Sequence, residues 1–235
     1  MRTRHAITSG LLGLAMIAVA AAPASAQGTG SKLPVTFDVV GGINIATLSF
    51  PVLPPEFEEL GFEFSLGNRI GLVAGALVGV PVRDGITFET GGLLSYKGAS
   101  VDLTIPDLGL PPEFPEIGPV TGQISIVYLD VPVIGRFRVV RSSRTTVSAL
   151  GGVTLGFKLD AEETVTAFGM TQTIPIDEGL SGFDFGLTFG GRLEFGRVLA
   201  DIRYTLGMLH LAEEEGPNGE TLKNRVLSLM AGWRF

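Results

Sequence analysis

FDFGLTFGGRLEF, residues 183–195, decides the fold. Its odd positions are Phe183, Phe185, Leu187, Phe189, Gly191, Leu193 and Phe195; its even positions are Asp184, Gly186, Thr188, Gly190, Arg192 and Glu194. One set is apolar and aromatic, the other small, polar or charged. Successive side chains of a β-strand point to opposite faces, so this stretch is a strand with one apolar and one polar face.

The same period recurs along the chain. Residues 198–210 set Val198, Ala200, Ile202, Tyr204, Leu206 and Met208 against Asp201, Arg203, Thr205 and Gly207. Residues 225–235 set Leu227, Leu229, Ala231, Trp233 and Phe235 against Ser228, Met230, Gly232 and Arg234. Upstream, residues 35–48, 69–82, 86–97, 124–139 and 145–159 alternate more softly. These are eight candidate strands. A soluble β-sandwich alternates too, and alternation alone does not say which face is inside.

The connections decide it. Tight turns fall at Arg83-Asp84-Gly85, at Arg141–Arg144 and at Gly196-Arg197. They alternate with long connections at about 49–68, 98–123, 160–182 and 211–224. In an up-and-down arrangement every tight turn falls at one end and every long loop at the other, the asymmetry of outer-membrane barrels. Charge sorts with it. The long connections hold 17 of the 24 acidic residues and one basic residue, Lys223, whereas the tight turns carry Arg83, Arg141, Arg144 and Arg197.

The N-terminus is set apart from the fold. Arg2 and Arg4 precede the apolar run LLGLAMIAVAAA, and Ala24-Ser25-Ala26 is a small-residue cleavage site. That is a secretory signal, so residues 1–26 are expected to be cleaved, leaving 27–235 as the barrel domain. The remainder keeps all 24 acidic residues and loses two basic ones, which excludes a nucleic-acid partner. There is no cysteine, so pairing and packing alone hold the fold. Mean hydropathy is high for a water-soluble domain, yet no apolar run after the signal is long enough for a membrane helix. A closed barrel is the other structure that satisfies every backbone group within lipid.

The expected fold is therefore all-β: an eight-stranded antiparallel up-and-down transmembrane β-barrel with long extracellular loops and short periplasmic turns. The apolar face looks at lipid and the polar face inward. Eight strands leave an interior just wide enough for side chains. The inward set mixes both signs, which points to a salt-bridged plug centred on Glu89, Asp130, Arg136, Arg192, Asp201 and Arg203. Inward glycines are expected to leave room for these long side chains.

Several stretches carry a family resemblance: IVYLDVPVIGRFR (126–138) with its Tyr-x-x-x-Pro strand, GGVTLGFKLDAE (151–162), DFGLTFGGRLEF running on to DIRYTLGM (184–208), and the closing GWRF (232–235). Over roughly residues 33–235 the chain resembles the outer-membrane β-barrel domain proteins of the small OmpA-like and PorT-like type. The resemblance implies residence in the bacterial outer membrane, among outer-membrane lipid and lipopolysaccharide. It also implies insertion by the barrel-assembly machinery, with Phe235, Trp233 and Leu229 as the assembly signal. No OmpA-like peptidoglycan-binding domain is expected after Phe235.

One motif appears twice. LPPEF occurs at 53–57 and at 110–114, in the first two long connections. Paired prolines cannot sit in a central strand, so these are stiff loop tips presenting Glu56 with Phe57 and Glu113 with Phe114. They either pack together as a cap or form a binding edge. With Glu213, Glu214 and Glu215 they are the candidate surface for an unknown extracellular or envelope partner. No catalytic residue is expected. His210 is the only histidine after the signal; it falls in the lipid-facing phase near the outer rim, with no serine beside it. No EF-hand or GxGxxG spacing occurs, so no metal or cofactor is expected. The expected function is non-enzymatic surface binding or envelope structure. The alternatives are a narrow channel for small solutes and a lipid A-modifying barrel enzyme.

Overall fold

The computed structural model describes residues 34–49, 63–104, 120–167, 169–176, 180–211 and 222–235. These residues form nine strands: β1 (Thr36–Ser49), β2 (Glu63–Arg83), β3 (Ile86–Thr104), β4 (Val120–Arg141), β5 (Thr145–Ala167), β6 (Met170–Pro175), β7 (Phe183–Phe195), β8 (Val198–Gly207) and β9 (Lys223–Arg234). Eight of them close a ring in the order β1, β2, β3, β4, β5, β7, β8, β9. The ring shuts where β9 pairs with β1, Asp38 opposite Arg234 and Ser49 opposite Lys223. Every neighbour is antiparallel. Closure leaves the eight-stranded ring without an open edge, which is what a sheet in hydrocarbon requires. No helix among the described residues is long and apolar enough to cross a membrane.

The alternation sorts the side chains as the sequence expects. Phe37, Val39, Ile70, Leu72, Phe88, Leu94, Phe189 and Ile202 are exposed on the outside of the ring. Their neighbours Asp38, Glu89, Ser95 and Arg203 are buried inside it. An apolar exterior around a polar interior inverts the pattern of a soluble protein and matches a lipid-facing barrel. Aromatic pairs mark both rims of this band: Phe37 with Phe235, ring centroids 6.0 Å apart, and Phe157 with Phe183 at 5.5 Å.

Inward glycines do two different jobs. At Gly156 a side chain would come within 3.1 Å of Asp130 Oδ1, so the glycine does leave room for a long polar neighbour. At Gly75 a methyl group would instead overlap the Gly92 carbonyl oxygen and approach Leu93 Cα to 2.9 Å. There the glycine lets β3 backbone coil tightly against β2, which a small ring demands.

The strands run further than the apolar periodicity shows. β2 begins at Glu63 instead of 69, β3 continues to Thr104 instead of 97, and β5 to Ala167 instead of 159. β4 and β5 have 22 and 23 residues. About 9–11 residues of tilted strand suffice to span a bilayer. The excess lies at the end away from the tight turns, where the outward apolar run has stopped. The outer face turns polar there, as Ser100, Asp102 and Thr104 show, because water, not lipid, faces it, while backbone pairing continues. Glu63, Asp102, Asp160, Glu162 and Glu163, read from sequence as loop residues, therefore lie in paired strands.

β6 is the second departure. It sits inside the stretch read as a single long loop and pairs only with β5, Ala167 opposite Met170 through Glu162 opposite Pro175. Gly169 turns the hairpin at φ 71°. Thr164 meets Thr173 and Thr166 meets Thr171, each hydroxyl pair at 3.0 Å. All six residues of β6 are exposed, so neither face is packed, and a strand this short leaves only Met170 and Ile174 as apolar members of one phase.

Candidate functional site: the barrel interior and its mouths

Near the tight-turn end, eight charged side chains from six strands meet. The acids are Asp38 (β1), Glu89 (β3), Glu194 (β7) and Asp201 (β8); the bases are Arg136 (β4), Arg192 (β7), Arg203 (β8) and Arg234 (β9). Strand register places two pairs directly opposite each other, Asp38 with Arg234 and Arg192 with Asp201. Arg203 also reaches Asp201 two residues back on its own strand, and Arg136 reaches Glu89 on the neighbouring strand. The contacts of Arg192 with Asp38 and Glu89, of Arg203 with Glu89, and of Arg136 and Arg234 with Glu194 join strands that are not neighbours in the ring. Arg192 is the hub and is 1% exposed. Its Nε donates to Asp201 Oδ1 at 2.5 Å, its Nη2 to Asp201 Oδ2 at 2.6 Å, and its Nη1 to Glu89 Oε2 at 2.5 Å and Asp38 Oδ2 at 3.0 Å. Arg203 donates to Glu89 at 2.8 Å, and Arg136 and Arg234 each donate to Glu194 at 2.9 Å. Four acids meet four bases, so the network has no net charge. A planar guanidinium with several donors can satisfy two or three carboxylates at once, which an ammonium does less well.

Apolar side chains close around this network. Val40, Val73, Leu77, Leu93, Leu199 and Met230 form one buried cluster beside it. Further along, the interior is polar again. Lys97 Nζ pairs with Asp130 at 2.8 Å and lies 4.5 Å from the Tyr128 ring centroid. Asn44 donates to Ser95 Oγ at 2.8 Å and accepts from Ser228 at 2.7 Å, and Asn224 donates to Asp184 at 2.8 Å. Beyond that layer, towards the long connections, the lumen is apolar once more. Leu48, Ala99, Leu211 and Leu222 pack with Leu66, Ile124 and Leu180.

Of the six residues expected at the centre of the plug, Glu89, Arg136, Arg192, Asp201 and Arg203 share one network. Asp130 belongs to the separate pair with Lys97. Sequence reasoning passed over Arg234, although its phase, shared with Ser228 and Met230, already placed it on the inner face. The apolar layer of Leu180, Leu211 and Leu222 was also missed. These three lie outside the ring strands, where strand periodicity says nothing, and they pack on Leu48, Leu66, Ala99 and Ile124 of the ring.

Other expected positions fall elsewhere. Leu229, Trp233 and Phe235 lie on the outer face of the closing segment, and the Phe235 amide donates to the Phe37 carbonyl at 2.9 Å. Glu56, Phe57, Glu113, Phe114, Glu213, Glu214 and Glu215 lie outside the described residues, as do both LPPEF copies and residues 1–26. His210 is not in a strand phase at all, because β8 ends at Gly207. It is half-buried, and its Nδ1 accepts the Leu222 amide at 2.8 Å, pinning the two stems of the last connection together. Among the described residues no group of His, Cys, Asp and Glu is arranged to hold a metal ion.

At the tight-turn mouth a pocket of about 270 Å³ opens between Pro34, Thr36, Asp84, Arg138 and Thr146. Arg138 pairs there with Asp84, and this hydrogen bond holds the Asp84 carboxyl below the usual carboxylate range.

Residues 25–213 match the family described as outer membrane protein β-barrel domain. The chain belongs to that family. Membership places it among outer-membrane proteins, in agreement with the apolar exterior and the closed ring. No curated protein matches. Among solved structures, Ail of Yersinia pestis is similar at 12% identity and a TM-score of 0.43, over 86% of this chain and 100% of Ail. OprG of Pseudomonas aeruginosa is similar at 12% identity and 0.38, over 85% and 95% of the two chains. The outer membrane protease OmpT of Escherichia coli is similar at 5% identity and 0.33, over 86% and 94%. Identities this low transfer no activity from one chain to another.

Proposed function

We propose that this chain is a non-enzymatic outer-membrane protein: a sealed barrel anchoring an acidic, protruding wall that meets a surface partner or a neighbouring envelope component. The supporting observation is the interior. A neutral ion network tied to six strands fills one end of the lumen, and an apolar layer closes the other. A channel needs a continuous polar path, which the layering interrupts. Planar-bilayer recording tests this reading. No stable single-channel steps are expected; steps that vanish when Arg136 or Arg192 is neutralised would establish a channel instead.

The signal assignment for residues 1–26 belongs to the same reading, with Gln27 as the first mature residue and the tight turns in the periplasm. Mass measurement of the mature protein and protease treatment of intact cells check both. Cleavage confined to the tight turns would invert the topology. The acidic outer segments, including Glu213–Glu215 and the two LPPEF tips, are proposed as the partner surface, sharing divalent ions with lipopolysaccharide phosphates. Phe235, Trp233 and Leu229 are proposed as the signal read by the barrel-assembly machinery. The hydrogen bond from Leu222 to His210 favours a structural histidine over a lipid A-modifying one.

A further inference from the structure

The tight-turn mouth runs against the chain's own charge. The protein carries a formal net charge of −7, yet its mouth pocket is lined by Arg83, Arg136, Arg138 and Arg141, with Asp84 and Glu194 as the acidic members. Two of the four arginines are already committed: Arg136 to Glu194 at 2.9 Å and Arg138 to Asp84. Arg83 and Arg141 are exposed and form no salt bridge among the described residues. The lining therefore keeps an excess of two positive charges on two unpaired guanidinium groups. Thr87, Thr146 and Ser148 add hydroxyl donors on the same wall.

The ligand class follows from shape and charge. Guanidinium forks match the oxygens of phosphate bidentately, and hydroxyls donate to the oxygens left over. A volume of about 270 Å³ is below that of sites for drug-sized molecules, so a small group fits and a large one does not. Height along the barrel adds a third constraint. Phe137 and Phe195, each next in sequence to a lining residue, are exposed on the outer face at this rim. Aromatic girdles lie at the membrane–water interface, where lipid phosphates lie too. From these we infer that the pocket is a phosphate-binding site, taking the oxyanion of a phosphate ester or of free phosphate between Arg83 and Arg141. It is separate from the proposed outer partner surface and does not depend on it.

The test uses the full barrel refolded in a phosphate-free maltoside detergent. Inorganic phosphate is titrated calorimetrically in one arm, and phosphatidylglycerol in mixed micelles in another. Arg83→Gln/Arg141→Gln removes both unpaired forks without touching the interior network, and heat-modifiable gel migration verifies that it still folds. Saturable binding weakened at least tenfold in the double variant is expected. Asp84→Asn, which frees Arg138, is expected to tighten it. Binding of both probes identifies the phosphate group itself as the ligand; binding of phosphatidylglycerol alone identifies the lipid headgroup as its source. Saturation by neither probe, equal competition by acetate, or unchanged affinity in the double variant overturns the assignment.

Discussion

Arg192→Met removes the hub of the interior network and nothing on the surface. Methionine fills most of the space with no charge, so the loss is electrostatic. Asp38 keeps its two bonds to Arg234, at 2.7 and 2.9 Å, and Glu89 keeps Arg203. Asp201 Oδ1 loses the Arg192 Nε, its hydrogen-bond donor. Four acids then face three bases away from water. Breaking a buried ion pair from one side costs about 3–5 kcal/mol. A second route gives a similar figure. If the surplus charge is removed by proton uptake at pH 7, an ordinary carboxyl of pKa about 3.9 must be protonated some three units above that value, at ~1.4 kcal/mol per unit, or about 4 kcal/mol. The two routes differ in pH dependence. With proton uptake the folded variant holds one more proton than its unfolded chain, so its deficit grows as pH rises from about 4 to 7 and nearly vanishes at about pH 4. Arg192→Met/Asp201→Asn restores neutrality, so it should recover about 1–3 kcal/mol and lose the pH slope. Trp233, the only tryptophan, lies on the outer face and reports membrane insertion by fluorescence. Equilibrium urea unfolding from phosphatidylcholine vesicles, followed through it, measures each variant. An Arg192→Met deficit under about 1 kcal/mol at pH 7, or a double variant no more stable than the single, would refute the reasoning.

Other perturbations probe separate parts of the molecule. Gly75→Val places a side chain where the β3 backbone already lies, so the compact heat-modifiable band should disappear, while Gly151→Ala, with open space at its Cβ, should fold normally. His210→Ala should cost about 1 kcal/mol through the lost Leu222 bond; a changed lipid A profile in cells carrying it would point to catalysis. Deleting Phe235 should lower the amount of barrel in the outer membrane of cells while leaving in vitro refolding nearly intact, because Phe235 is exposed on the outer face; an equal loss in both assays would make its role structural. Lys97→Met strands Asp130 beside Tyr128 and should cost about 3–5 kcal/mol in the same urea assay, with Lys97→Met/Asp130→Asn recovering much of it.

The parts of this fold that were legible in the sequence are those where lipid imposes a period. Phe183 to Phe195 could be read because hydrocarbon outside and a narrow lumen inside demand opposite chemistry from successive residues. The same demand placed Glu89, Arg136, Arg192, Asp201 and Arg203 on the inner face before any contact was known. Which of these share a network was not legible. Asp130 has the same phase as Arg136 but lies further along the barrel with Lys97, and that depends on how strands stagger, not on alternation. Where lipid ends, the signal ends with it. The extensions of β2, β3, β4 and β5, and all of β6, are paired through their backbones but do not continue the outward apolar run, so they looked like loops.

The interior layering bears on why a molecule of this kind keeps so many buried charges. Replacing a buried ion network by well-packed apolar side chains often leaves stability unchanged or improves it. An apolar lumen in an apolar exterior would, however, leave a strand with no difference between its faces. A one-residue slip of register would then cost little, since either set of side chains could face lipid. Charges remove that freedom. Slipping β7 by one residue would drive Arg192 and Glu194 into lipid and draw Leu193 and Phe195 inward. Each strand that contributes to the network, including β1, β3, β4, β8 and β9, is constrained in the same way. Register is fixed by what the lumen alone can accept.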